Sequence, residues 1–145
     1  MTEYLEPDHP APGDRSARAA SLRSRAAVHA RDRDAWLALF RDDALVQDPV
    51  GRSPLDETGD GHRGLQAIGE FWDNVIAPNP VRMDLRGSRA GGDEVANELT
   101  ISTTFPDGSR AVTDVVAIYR VDEEGLIASL RAFWEFDQLR MLPPE

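Results

Sequence analysis

Trp36-Leu37-Ala38-Leu39-Phe40-Arg41-Asp42-Asp43-Ala44 runs directly into Leu45-Val46-Gln47-Asp48-Pro49-Val50-Gly51. The first part reads as a short helix and the second as a strand stopped by proline. Asp32 is placed to cap the helix, which carries Trp36, Leu37 and Phe40. The strand covers about residues 44–49. Period-two alternation sets Val46, Asp48 and Val50 on one face, and Leu45 and Gln47 on the other. An acid flanked by valines loses hydration without an obvious partner if that face is buried. Its pKa then rises and its carboxylate becomes usable as a base. The alternative is an exposed face on which Asp48 merely ends the strand.

Working outward, residues 1–13 hold Pro7, Pro10 and Pro12 with few apolar groups and read as a mobile tail. Asp14 to Ala30 is rich in Ala, Arg and Leu, which predicts a helix with Asp14 as its N-cap. Residues 50–62 form a loop broken by Pro54, Gly59 and Gly61, placed so that it could fold over a pocket. A third helix spans about residues 64–77, where Leu65, Ile68, Phe71, Trp72 and Val75 share one apolar face.

The remainder reads as antiparallel sheet. Val81, Met83 and Leu85 alternate with polar neighbours, as do Leu99, Ile101, Thr103 and Phe105. Pro106-Asp107-Gly108-Ser109 is a turn. A long strand follows over 110–121, then a turn at 122–125 and a last strand over 126–139. Residues 14–140 thus form one domain, and 141–145, with Pro143 and Pro144, a second tail. Helices followed by a meander indicate an α+β fold, with three helices packed on a curved, mainly antiparallel sheet. Such a cone has an apolar interior suited to a small apolar ligand.

Composition narrows the function. The chain of 145 residues carries a net charge of −10, which argues against a nucleic-acid partner. It has no cysteine, so thiolate nucleophiles and cysteine-ligated metals are excluded. All 16 basic residues are arginine, which excludes Schiff-base chemistry and a Walker-type phosphate site. The three histidines show no ligand-spaced pair, so no metal and no cofactor are expected. Apolar runs are too short to span a membrane, and no secretion signal is visible, so a cytoplasmic protein is expected.

The block Trp36–Ala44, continued by Gln47-Asp48-Pro49-Val50-Gly51, resembles the ketosteroid isomerase branch of the SnoaL-like, nuclear transport factor two-like superfamily. Gly64 to Trp72, Gly125-Leu126-Ile127 and Ala132-Phe133-Trp134 extend the resemblance over about residues 20–137. It implies a cofactor-independent isomerase acting on a steroid-like ketone, and a homodimer paired through its sheet. Asp48 falls on the general base, which moves a proton from beside the ketone to a position two carbons along. In this family, the standard illustration of such pKa tuning, a tyrosine and a protonated aspartic acid hold the intermediate's oxygen. Here those positions fall on Ser24 and Ala117. A supporting tyrosine falls on Trp72, and Trp134 matches a pocket-lining aromatic. Tyr119 and Trp72 are the foremost replacement donors, with Ser24 and Trp134 behind them. The expected ligand-binding set is Ser24, Val46, Val50, His62, Phe71, Trp72, Leu99, Ile101, Ala117, Tyr119 and Trp134.

Other residues admit two readings. His62 is either a proton shuttle or a residue at a helix entrance, the latter preferred. His29 reads as a solvated histidine at a helix end. Asp114 reads as an outward acid on a dimer face; a bulge would be needed to turn it inward and pair it with Asp48, as in an epoxide hydrolase or cyclase of the superfamily. Phe71 and Trp72 read as core, ligand box or both. A non-catalytic module binding apolar ligands is the further alternative.

Overall fold

Small residues decide how the first helix meets the sheet. In the computed structural model, which describes residues 3–145, α1 (Ala17–Ala30) buries Ala17, Ala20, Ser24, Ala27 and Val28 along one face. Their three- and four-residue spacing makes a narrow stripe of short side chains, so the helix lies close on the sheet. The N-cap is Ser16, whose Oγ accepts from the Ala19 N–H at 3.1 Å. Asp14, expected there, instead accepts from the Ser16 N–H at 2.9 Å and shapes the turn before the helix. Asp32 caps α2 (Arg33–Leu37) as expected, accepting from the Ala35 N–H at 3.1 Å.

Seven strands form one curved sheet, in agreement with the expected α+β cone. They are β1 (Phe40–Gln47), β2 (His62–Arg63), β3 (Val81–Gly91), β4 (Glu94–Thr104), β5 (Arg110–Val121), β6 (Ile127–Phe133) and β7 (Arg140–Leu142). The order is β2-β1-β6-β5-β4-β3, with β7 also pairing β5. Every pairing is antiparallel except β1 with β6, where Val46 lies beside Leu130 and Gln47 beside Arg131. Phe40 belongs to β1 rather than to the second helix. The β3–β4 hairpin runs beyond its alternating part, through a bulge between Leu85 and Gly87.

The last strand stops at Phe133, shorter than expected, and residues Phe136–Gln138 make a 3₁₀ turn before β7 returns to β5. Two backbone bonds tighten that turn: Gln138 N–H donates to Glu135 at 3.0 Å and Leu139 N–H to Phe136 at 3.2 Å. Residues 141 and 142, assigned to a tail from sequence, lie in β7. Near the other end, Leu5 N–H donates to the Leu85 carbonyl at 2.7 Å, and the Arg23 guanidinium reaches the carbonyls of Ala11 and Asp14.

α3 (Leu65–Phe71) continues into a π-helical turn over Trp72–Ile76, closed by Ala77 N–H to the Trp72 carbonyl at 2.8 Å. Trp36, 1% exposed, sits at the centre of the core. Its ring lies 4.7 Å from Phe40 edge to face, 5.2 Å from Trp72 and 6.5 Å from Phe71. Such aromatic pairs add to the burial of their large surfaces. Among the described residues, no helix is long and apolar enough to cross a membrane.

β3 is the sheet's edge, and α1 covers it. His29 Nε2 accepts from the Met83 N–H at 2.9 Å, while Arg25 Nε donates to the Met83 carbonyl at 2.7 Å. The free donor and acceptor of an edge residue are thereby satisfied. His29 is exposed in the last turn of α1, as expected from sequence, and in addition its ring accepts from the edge strand. Partial desolvation of the ring first, then the Arg25 and Arg82 charges, hold its pKa below the ordinary value of 6.5. A histidine that resists protonation when folded takes up its proton more readily when unfolded. Its contribution is complete above the ordinary value and is lost as pH falls toward the depressed one. Urea unfolding across pH 7.5 to 5 is expected to show wild type losing stability more steeply than His29→Gln, which keeps an acceptor for Met83. Equal slopes in the two proteins would refute this account.

Candidate active site

The parallel pairing of β1 with β6 brings the ends of the two strands together. Asp48 leaves β1 one residue past Gln47, and Trp134 leaves β6 one residue past Phe133. Val50 N–H continues the alignment by donating to the Ala132 carbonyl at 2.8 Å. The Trp134 indole N–H then donates to Asp48 Oδ1 at 2.6 Å. Oδ2 of Asp48 accepts no hydrogen bond from the described residues.

Both side chains stand in the wall of a cavity of about 300 Å³. That is the lower end of the range for small-molecule sites. The wall is built mostly from apolar groups, among them Val28, Phe71, Ile76, Met83, Ile101 and Leu130. Its polar members are Ser24, Asp48, Thr103, Thr113 and Tyr119. Burial in these surroundings raises the Asp48 pKa, opposed by the Trp134 hydrogen bond and by the charge of His62. The carboxyl is therefore a stronger base than a solvated one, yet one anchored oxygen still favours its ionised form.

Tyr119 reaches the cavity from β5 and Ser24 from α1. The Tyr119 hydroxyl donates to Ser24 Oγ at 3.1 Å, and the Trp36 indole N–H donates to the same oxygen at 3.0 Å. Tyr119 and Ser24 are each 1% exposed. Burial pushes the Tyr119 pKa up to about 12, with the Asp48 charge adding to the rise, so the phenol keeps its proton at neutral pH.

Of the residues expected to contact a ligand, Ser24, Asp48, Phe71, Ile101, Tyr119 and Trp134 line this cavity. Val46, Leu99 and Ala117 do not: they are at most 2% exposed and fill the core. Ala117 shares the face of Thr113 and Tyr119, but its methyl is too short to reach past them. Val50 lies beyond the strand end, paired with Ala132. Trp72 turns away from the cavity, one residue and about 100° round the helix from Phe71. Its ring packs on Trp36, while Val75 and Ile76 of the same turn face the cavity. His62 sits on β2 opposite Val46, its ring 5.0 Å from Phe71, behind the wall rather than in it.

Asp114 is exposed and faces outward. Register with β4 is unbroken along β5, so no bulge turns it toward Asp48. It accepts instead from the Thr100 hydroxyl at 3.0 Å. Among the described residues there is no group of three or more histidines and acids suited to a metal ion.

Several wall residues escape the sequence reading. Val28 is one turn beyond Ser24, and Thr103, Phe105, Ala111 and Thr113 follow by period two from Ile101 and Tyr119. Those signals were present. Phe136 and Leu139 had none, because a turn rather than a strand carries them to the cavity. Leu55 comes from the 50–62 loop, which Asp56 ties together: its carboxylate accepts from the Thr58 hydroxyl and from the N–H groups of Gly59 and Gly61, at 3.3, 3.1 and 2.8 Å.

The chain and its fold are similar to known proteins. The chain is 32% identical over 97 residues to a steroid Δ-isomerase of Nocardioides simplex, covering 67% of this chain and 72% of that protein. The Δ5-3-ketosteroid isomerase of a Mycobacterium species superposes with a TM-score of 0.82 at 38% identity, covering 86% of this chain and 97% of the other. RV0760c of Mycobacterium tuberculosis, solved in complex with estradiol-17β-hemisuccinate, gives a TM-score of 0.81 at 35% identity, with 86% and 97% covered. Residues 22–130 match the SnoaL-like domain, and with the cone fold and these relatives this shows that the chain belongs to the SnoaL-like family of the nuclear transport factor two-like superfamily.

Proposed function

We propose that this protein is a steroid Δ-isomerase-like enzyme, with Asp48 as the base that moves a proton along an apolar ring ketone. The observation that carries the reading is the Asp48 carboxyl, one oxygen held by Trp134 and the other open, in an apolar cavity. The open oxygen takes a proton from the carbon beside the ketone; the C–H electrons move into a dienolate. The same oxygen returns the proton two carbons along, and the double bond is then conjugated with the ketone. A desolvated carboxylate suits both halves, since its raised pKa strengthens the base without making return of the proton prohibitive. The reaction uses no cofactor.

The relatives named as ketosteroid isomerases and the neighbour that holds an estradiol derivative support a steroid-like ligand. A carboxylate-pair mechanism, as in an epoxide hydrolase or cyclase, fits less well because Asp114 points outward. We also propose a homodimer through the outer sheet face, where Val116 and Phe133 pair across β5 and β6 and are each 40% exposed.

Three outcomes test the reading. Turnover of an unconjugated 3-ketosteroid, followed by ultraviolet absorbance, is expected to drop at least about a hundredfold in Asp48→Asn, which keeps an acceptor for Trp134. Tight steroid binding without turnover in wild type would favour a binding module instead. In Trp134→Phe the carboxylate loses the donor that lowers its pKa. The acid limb of kcat/KM should then move to higher pH, because a more strongly held proton blocks the base sooner. An unmoved limb would deny Trp134 this role. Asp56→Ala frees the loop that carries Leu55, and is expected to raise KM several-fold while kcat changes little. A fall in kcat at constant KM would contradict a covering role for the loop.

A further inference from the structure

The hydroxyl cluster at the cavity wall has one proton more than it can use. Trp36 Nε1, Ser24 Oγ and Tyr119 Oη carry one polar hydrogen each, three in all. The cluster makes two internal hydrogen bonds, both to Ser24 Oγ. The indole can only donate, so its direction is fixed. If Tyr119 donates to Ser24, the Ser24 proton is left over. If Ser24 donates to Tyr119, the phenolic proton is left over. Either way one hydrogen of a pair of residues each 1% exposed has no acceptor in the cluster.

Helical serines commonly spend this proton on a carbonyl of the preceding turn. Ser21 does so, donating to the Arg18 carbonyl at 2.7 Å. Ser24 makes no such bond among the described residues. The other hydroxyls in the wall differ. Thr113 donates to the Asp114 carbonyl at 3.4 Å, and Thr103 is half-buried beside Phe105, where solvent can satisfy it. A buried donor without an acceptor is costly, and an entering acceptor relieves that cost.

We propose that the Ser24–Tyr119 pair shares a single proton that it delivers into the cavity, and that this proton receives the carbonyl oxygen of a ketone ligand. The proposal deepens the isomerase reading and rests on it for its chemistry, because the oxygen so held is the one that gains charge when Asp48 takes the proton. Two donors polarise Ser24 Oγ when it donates, which strengthens its bond to that oxygen. The high Tyr119 pKa keeps the pair a donor rather than an acceptor throughout the neutral range.

Sharing has a distinctive signature. Tyr119→Phe leaves two protons and one internal bond, so one proton still reaches the ligand, from Ser24. Ser24→Ala leaves the Tyr119 hydroxyl free to donate. Only the double variant removes both hydroxyls. Each single change is therefore expected to cost no more than about tenfold in kcat. The pair should cost at least about a hundredfold, the scale of a lost oxyanion donor. The second readout is the infrared carbonyl stretch of a bound 3-ketosteroid, set against its value in an apolar solvent. It should be lowered in wild type and in both single variants, and unshifted in the double variant. Affinity is measured beside that of the same steroid lacking the ketone.

A lowered stretch without turnover in wild type would sink the isomerase reading and uphold the donor. Turnover with an unshifted stretch would do the reverse. A single variant as impaired as the double one in either readout would overturn the shared proton. A double variant that keeps the lowered stretch would place the donor elsewhere. Binding of neither steroid would overturn the proposal together with the steroid reading. Ser24→Cys with Tyr119→Phe, nearly isosteric and a far weaker donor, replaces the double variant if that protein does not fold.

Discussion

A carboxyl group held by an indole inside an apolar cavity is the constraint around which this molecule is organised. Left alone, the Asp48 carboxylate would lose most of its hydration and simply become neutral. The Trp134 N–H at 2.6 Å returns part of that stabilisation to one oxygen and leaves the other open. The balance makes the group basic while keeping its ionised form accessible. Everything that sets the position of those two residues therefore bears on the chemistry: the parallel β1–β6 register, the proline that ends β1, and the turn after Phe133.

The core and the site are continuous. Trp36 packs against Phe40, Phe71 and Trp72 with its faces and edges, while its N–H serves Ser24 at the cavity wall. A large aromatic that is otherwise wholly buried needs such a partner for its polar atom. The same residue thus holds two helices to the sheet and fills one lone pair of a wall hydroxyl. The short side chains along α1 have a related double effect. They let the helix lie close on the sheet, and they bring the Ser24 hydroxyl within reach of Tyr119 across it.

How much of this was legible in the residues depends on the range of the interaction. Period-two patterns located β5 fully and placed Tyr119 on the inward side. They also put Asp114 outward, where an unbroken register keeps it. Asp48 stood out because an acid between valines is locally anomalous. Features that depend on partners far along the chain were hidden. Trp134 read as a pocket aromatic and a minor candidate donor, but no local pattern shows that its N–H is spent on Asp48. Trp72 shares the broad apolar face of Phe71, yet adjacent helix residues lie about 100° apart, and its ring packs on Trp36 instead of reaching the cavity. The short β2 carries too few residues for any alternation, and the 3₁₀ turn that brings Phe136 inward interrupts a run that otherwise reads as continuous strand. The Asp14 cap failed by a narrower margin, because Ser16 offers an equally good acceptor two residues later.

The distance along the chain between Asp48 and Trp134 has a consequence for biogenesis. Eighty-six residues separate the acid from its indole partner. Contacts of such separation form late, after the cost of closing a long loop has been met. During synthesis the N-terminal helices and β1 leave the ribosome well before β6 exists to pair with them. Until then Asp48 is an ordinary hydrated side chain, titrating with the other acids of the chain. The desolvated, indole-bonded form of the residue is therefore acquired at the end of folding, so an incomplete chain carries the carboxyl group without its raised pKa.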